Sequence, residues 1–224
     1  LCSINHPKTG GPAWEYGFEL PFDTMEVWQG PWPYRNEESL ALWDHLLASG
    51  KQVRAVGGSD YHCPAGADTN LLRLGQPTTW VQVKERSHQG IFDAIQAGRT
   101  SISAQHSGPR IALTATIGGG AEQAVAMGEA VTVAQGAALS VTATVWDGGG
   151  FTVQFIVDGV IKAPQHVTAA EQSFALTTPV ATYIRAELIG DLPADQLPAD
   201  APTNLDRRGW RWALSNPIFI SQGA

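Results

Sequence analysis

Apolar positions along the first hundred residues recur in two rhythms. Short runs rich in β-branched and aromatic residues, at 1–5, 23–28, 52–56, 79–83 and 100–104, read as strands. Between them, Leu40, Trp43 and Leu47 share one face of a helix that Asn36 opens and Gly50 stops. Ile91, Phe92 and Ile95 repeat the pattern in a second helix, begun at Ser87 and closed by Gly98. Residues 6–23 make a loop rich in Gly, Pro and aromatics. Strand, loop, helix, strand is the order of a parallel α/β fold.

The pattern changes near Gly108-Pro109. Helical periodicity gives way to short Val-, Thr- and Ala-rich runs at 111–117, 129–134, 138–146, 151–158, 172–177 and 181–188. Asp147-Gly148-Gly149-Gly150, Asp158-Gly159 and Gly118-Gly119-Gly120 read as hairpin turns between them. Such spacing predicts a small Ig-like antiparallel β-sandwich. Residues 191–209 repeat Leu-Pro-Ala-Asp as an exposed loop, and 210–220 return as an apolar, docked strand. The expected organisation is therefore α/β plus β, with domains at 1–108 and 109–224.

Composition narrows the function classes. Of 224 residues, 21 are Asp or Glu and 14 Lys or Arg, for a net charge of −7, which disfavours nucleic acid and anionic membranes as partners. No apolar run approaches the ~20 residues of a membrane span. Cys2 and Cys63 are too few for a disulfide scaffold or a thiolate zinc finger. The chain opens on Leu1-Cys2-Ser3-Ile4, with no Met and no signal-peptide core, and reads as continuing from a preceding segment.

The residues fit for chemistry sit just past predicted strands. His6 follows 1–5, Glu26 lies late in 23–28, and Asp60 with His62 follow 52–56. In parallel sheets that edge gathers ligands and catalytic groups. Asp60 and His62 offer one cation a carboxylate oxygen and an imidazole nitrogen from a single turn, where Gly57 and Gly58 permit close backbone approach. Asn5 and Ser59 flank these groups, either to orient the imidazoles or as simple turn residues. Glu26 is a ligand, a neighbour of ligands or an inward-facing structural carboxylate. His106 follows 100–104 toward the same rim. Arg99 suits either an anionic substrate group or a helix stop. Trp28 and Tyr61, with Trp14, Trp32 and Tyr34, form either an aromatic pocket mouth for an apolar or aryl substrate or packing under a long loop. Cys63 is a soft ligand or a small buried hydrophobe. No Gly-x-Ser-x-Gly elbow supports a serine nucleophile.

In order, Asn5-His6-Pro7, Met25-Glu26-Val27-Trp28, Gly58-Ser59-Asp60-Tyr61-His62 and Ala97-Gly98-Arg99-Thr100 resemble the later motifs of the polymerase and histidinol phosphatase (PHP) superfamily. Leu214-Ser215-Asn216-Pro217-Ile218-Phe219, after a β-rich appendage, resembles its carbaryl-hydrolase-like (CehA/McbA) branch. The resemblance implies the second half of a distorted (β/α)7 barrel and two or three divalent metal ions, commonly zinc, manganese or iron. His6, Asp60 and His62 would be ligands, with Asp60 and His62 the catalytic pair. A metal-activated water would attack a phosphoester, or in this branch a carbamate or other ester, of a small-molecule substrate. Lys8 and Arg99 are the basic residues available to a phosphate, so the aromatic surroundings tilt the balance toward the uncharged ester.

The family's opening His-x-His motif, and the Asp-His and Glu that follow it, have no counterpart here and belong before residue 1. A half barrel exposes apolar strand edges, so a missing N-terminal half or a second copy is the expected partner. The rival expectation is a non-catalytic binding or scaffold module, with a vestigial half barrel and a carbohydrate- or protein-binding β-sandwich.

Overall fold

Strands dominate the chain. The computed structural model describes residues 1–9, 14–62, 72–117, 124–134, 136–179, 181–197 and 203–223. In order these form β1 (Ser3–Ile4), β2 (Thr24–Gln29), α1 (Asn36–Ala48), β3 (Arg54–Gly58), β4 (Thr78–Val81), α2 (His88–Gln96), β5 (Thr100–Ser103), β6 (Arg110–Ile117), β7 (Ala124–Ala126), β8 (Ala130–Val133) and β9 (Ala138–Trp146). Then come β10 (Thr152–Val157), β11 (Val160–His166), β12 (Glu171–Pro179), β13 (Tyr183–Gly190), a 3-10 turn (Ala194–Gln196), β14 (Trp210–Ser215) and β15 (Ile218–Gln222). Among the described residues no helix is long and apolar enough to cross a membrane.

Three sheets stack as layers. The first is parallel, in the order β1-β2-β3, and α1 makes the crossover from β2 to β3. The second runs β11-β10-β13-β14-β5-β4, with β15 pairing β13 and β8 running parallel to β15. The third is β12-β9-β6-β7, antiparallel throughout. Side chains alternate across a strand, so the middle sheet serves two cores. On one face Val153 and Phe155 of β10 and Ile184, Ala186 and Leu188 of β13 join Leu113, Val141 and Val145 of the third sheet. On the other face Ile156, Tyr183, Leu214 and Phe219 meet Met25, Val27, Trp43 and Leu47 of the parallel layer. Burial on both faces explains the unbroken buried run from Tyr183 to Leu188.

The reading of residues 1–108 as half of a distorted (β/α)7 barrel is overturned. Among the described residues only β2, α1 and β3 form a parallel strand–helix–strand unit, with β1 added parallel to β2. β4 pairs antiparallel with β5, Thr78 opposite Ser103, and β5 continues antiparallel onto β14, Ser103 opposite Ala213. Helix α2 therefore joins antiparallel neighbours; it buries Ala94 and leaves Ile91 and Phe92 exposed. Strand accounts for 45% and helix for 13% of the structure. A short amphipathic helix between two strands shows the same periodicity whichever way the second strand points. Direction was decided instead by the ladder that β5 gains with β14 and by the burial of Ile102.

The second half forms a two-sheet sandwich, with two departures from the expected pattern. The β8–β15 pair is parallel, and β4 and β5 extend one of the sheets, so hydrogen bonding crosses residue 108. Asp158 and Gly159, at φ 47° and 78°, close the β10–β11 hairpin as expected. The turn at Asp147–Gly150 instead carries the chain from the third sheet to the second. Gly118-Gly119-Gly120 lies outside the described residues.

Two polar knots lock the layers. Arg185, 2% exposed in the middle of β13, donates to Asp44 of α1 through Nε (2.8 Å) and Nη2 (2.7 Å), and to Glu187 through Nη1 (3.1 Å). Tyr183 also donates to Asp44 (2.9 Å), Gln154 donates to Glu187 (2.6 Å), and the Arg185 guanidinium lies 5.3 Å from the Trp43 ring centroid. Burial pulls the Arg185 pKa down, but the Glu187 and Asp44 carboxylates outweigh it and raise it on balance. Asn216, 1% exposed after β14, forms the second knot. Its Oδ1 accepts from the Ala55 amide (2.7 Å), and its Nδ2 donates to the carbonyls of Ala55 (2.9 Å) and Thr100 (3.0 Å), tying β3 to β5.

Removing one partner of a buried ion network leaves the others desolvated and unpaired. Arg185→Met is expected to lower the free energy of unfolding by about 3–5 kcal/mol in urea titrations. Replacing Asp44, Arg185 and Glu187 together by apolar residues should recover most of that loss. An unchanged midpoint in the single variant would show that the network does not hold the layers.

Candidate functional site

The carboxyl edge of the parallel layer collects most of the residues singled out by sequence. β1 ends at Ile4, and the chain turns sharply at His6, whose φ is 35°. The His6 amide donates to Glu26 Oε2 (2.8 Å), while its Nδ1 is buried without a hydrogen-bond partner. Glu26 lies beside a register shift between β2 and β3, and a Cβ at Gly58 would come within 3.1 Å of its Oε1. A side chain at position 58 would therefore crowd the carboxylate. Burial pushes the Glu26 pKa above its ordinary value, against the His6 amide, which stabilises the charged form.

Asp60 follows β3 at φ 52°, a left-handed conformation that a short polar side chain tolerates. Gln29, at the end of β2, donates to Asp60 Oδ2 (2.7 Å). His62 is exposed, with Nδ1 2.6 Å from the Asp60 carbonyl oxygen and 3.5 Å from Asp60 Oδ1. Half-buried Tyr61 sits between them, and Cys63 lies outside the described residues.

Lys8 completes this edge. It is 6% exposed and donates to Asn36 Oδ1 (3.1 Å) and the Gln29 carbonyl (3.3 Å). Burial pulls its pKa down to about 8, although the Glu26 and Asp60 carboxylates draw it the other way. Asn36 opens α1 but does not cap it. Its side chain accepts from the Gln29 amide (2.9 Å) and donates to the carbonyls of Gln29, Pro31 and Trp32, fixing the turn after β2.

The other candidates separate. Asn5 is exposed. Arg99 precedes β5, whose first residue, Thr100, lies beside Ala55 at the start of β3. Arg99 is thus at the far end of the strand from Asp60, and donates to the Gln82 carbonyl (3.4 Å). His106 is exposed beyond the other end of β5, the end that shares Asp60's side of the fold. Trp28 is buried, donates to the Gly30 carbonyl (3.0 Å) and meets Trp32 edge-on at 5.0 Å. Gln29 and Asn36 were not legible as site residues. Gln29 directly follows the predicted strand that holds Glu26, and that adjacency is the one signal for it.

In kind, two imidazoles and two carboxylates suit zinc, manganese or iron, and an orphaned buried imidazole nitrogen is what an absent ligand would satisfy. Among the described residues, however, no three His, Cys, Asp or Glu groups converge as a metal centre.

A cavity of about 530 Å³ opens at the same end of the fold. Trp28, Trp32, Trp210 and Trp212 line it, and its polar residues are Arg73, Gln76, Gln105 and Gln196. Gly30, also in its wall, donates to the Gly58 carbonyl (2.9 Å), so the cavity and the His6–Asp60 edge share a turn.

Neither family models nor curated proteins match this chain. Among solved structures, the solution structure of the CARDB domain of PF1109 from Pyrococcus furiosus is similar at 16% identity and a TM-score of 0.21, over 49% of this chain and 94% of that one. At that TM-score the likeness bears on neither fold nor function.

The raised Glu26 pKa has a defined consequence for stability. A carboxyl group protonated more readily when folded contributes stability below its unfolded pKa, and that stability is lost as pH rises through the folded value. Glu26→Gln keeps an acceptor for the His6 amide and no charge to bury. With chelator present, the variant should be more stable than wild type at neutral pH and indistinguishable from it at pH values below the carboxylate range. Paired urea titrations at the two pH values check this; a variant less stable at neutral pH would contradict it.

Proposed function

We propose that this chain carries part of a divalent-metal hydrolase site on the carboxyl edge of β1, β2 and β3, with His6, Asp60 and His62 as ligands. The observation that carries the reading is the buried, unpartnered His6 Nδ1, held beside Glu26 on the edge that also presents Asp60. The ordered resemblance of these motifs to those of the PHP superfamily supports the same chemistry, though not its barrel. A divalent cation bound there would polarise an ester oxygen and lower the pKa of a water.

The chain's own groups have separable roles. Gln29 occupies Asp60 Oδ2 and so orients the carboxylate, leaving Oδ1 on the side of His62. Glu26, short of solvent and of elevated pKa, is suited to hold a proton taken from an attacking water. Lys8 is committed to Asn36 and Gln29, and Arg99 is at the wrong end of its strand, so a phosphate would find no free cation from either. An uncharged ester or carbamate is the better substrate class.

A second reading, ligand binding without turnover, is favoured by a different observation: the tryptophan-walled cavity, whose size is typical of small-molecule pockets.

For the first reading, calorimetric titration with Zn²⁺ and Mn²⁺ should give saturable binding that Asp60→Ala abolishes. Gln29→Ala, which removes only the group orienting Asp60, should weaken binding about 10- to 100-fold. Hydrolysis of chromogenic carboxylic esters and phosphoesters should depend on added metal and fall with Asp60→Ala. Metal binding unchanged in Asp60→Ala would sink the assignment.

A further inference from the structure

We infer that the tryptophan-walled cavity between the parallel layer and residues 192–197 is a binding site for an uncharged sugar. This rests on the binding reading above and names the class of its ligand; it does not depend on metal chemistry.

The walls come from both halves of the chain. Trp28 arrives near the end of β2 and Trp32 on the turn after it, and Trp210 and Trp212 on β14. Their polar ends are largely spoken for: the indole N–H groups of Trp28, Trp210 and Trp212 donate to the carbonyls of Gly30 (3.0 Å), Asp206 (2.9 Å) and Gly190 (3.3 Å). What these rings offer the cavity is therefore apolar and π surface. Phe151 stacks on Trp212 with centroids 4.5 Å apart, and the Arg211 guanidinium lies 5.2 Å from the Trp32 centroid, so the rings are held in place before any ligand arrives.

The polar part of the lining is the glutamine amides and Arg73, whose Nη1 donates to the Leu72 carbonyl (2.8 Å). Gln76 Nε2 reaches Gln105 Oε1 at only 3.5 Å, and Gln76 Oε1, Gln105 Nε2 and the whole Gln196 amide have no partner among the described residues. Amides present a donor and an acceptor side by side, as a pair of vicinal hydroxyls requires. Among the described residues no Asp or Glu lines the cavity, although the chain has 21 acidic residues. A sugar ring combines an apolar C–H face for indole with a rim of hydroxyls for glutamine. A purely apolar molecule would leave the amides desolvated and unpaired.

The test is titration of the full chain with a panel of neutral methyl glycosides and disaccharides, alongside glucuronate, glucosamine and indole, followed by tryptophan fluorescence and calorimetry. At least one neutral glycan should bind saturably with a Kd of about 1 mM or tighter. The double variant Gln105→Leu, Gln196→Leu should weaken that binding at least about tenfold with an unchanged urea midpoint. Trp210→Ala should weaken it as well, with near-UV circular dichroism confirming the fold. Binding of indole but of no neutral glycan would overturn the sugar assignment and leave the binding reading standing. Binding of none of the probes would overturn both, and glycan binding indifferent to all three substitutions would place the sugar elsewhere and overturn the site.

Discussion

A buried guanidinium dictates how this molecule is assembled. Arg185 sits in the middle strand of a sheet covered on both faces, where an unpaired charge would cost several kcal/mol. Its own strand supplies Glu187, which Gln154 and Arg211 also engage, but the second carboxylate must come from Asp44 on α1. Apolar packing of Trp43 and Leu47 against the sheet would hold α1 there without specifying its azimuth, because burial is non-directional. The bidentate pair and the Tyr183 hydroxyl add that direction. Since α1 is the crossover between β2 and β3, fixing it also fixes the parallel layer.

Asn216 transmits the constraint to the functional end. By satisfying both backbone groups of Ala55 and the carbonyl of Thr100, it makes β3 and β5 neighbours without a continuous ladder between them. Thr100 then lies beside Ala55, and Ile102 beside Gly57, where an added Cβ would come within 2.7 Å of the Ile102 side chain. The two strands point the same way, and their carboxyl ends emerge together. The His6–Asp60 edge and the tryptophan cavity are adjacent for this reason.

Much of the local structure was legible. The face of α1 defined by Leu40, Trp43 and Leu47 is buried as its spacing required, Ser87 caps α2 by accepting from the Gly90 amide, and Asp158-Gly159 turns a hairpin. Strand direction was not legible at β5, because a pairing partner 110 residues away leaves no trace in a local window; Ser103 finds Ala213 only in the folded chain. Of the site, His6, Glu26, Asp60 and His62 were placed on one edge by the rule that side chains past parallel strands gather there. Gln29 and Asn36 were missed because their roles arise from folded-state bonds, Gln29 to the Asp60 carboxylate and Asn36 to backbone around a turn, which composition does not report. Arg185 and Glu187 sat unnoticed in a strand whose other residues announced only burial.

The two ends of the shared turn differ most in charge. Around Lys8 the carboxylates of Glu26, Asp60, Glu38 and Glu37 all act on one buried ammonium, although burial outweighs them. Beyond Gly30 no carboxylate lines the cavity among the described residues, and indole and amide groups dominate there, with Arg73 the charged side chain present. A cation and a neutral ligand bound on either side of one turn would not compete for the same contacts. Asn36 holds the backbone of Gln29–Trp32 at three carbonyls, so the turn that the two regions share is fixed by the chain's own side chain.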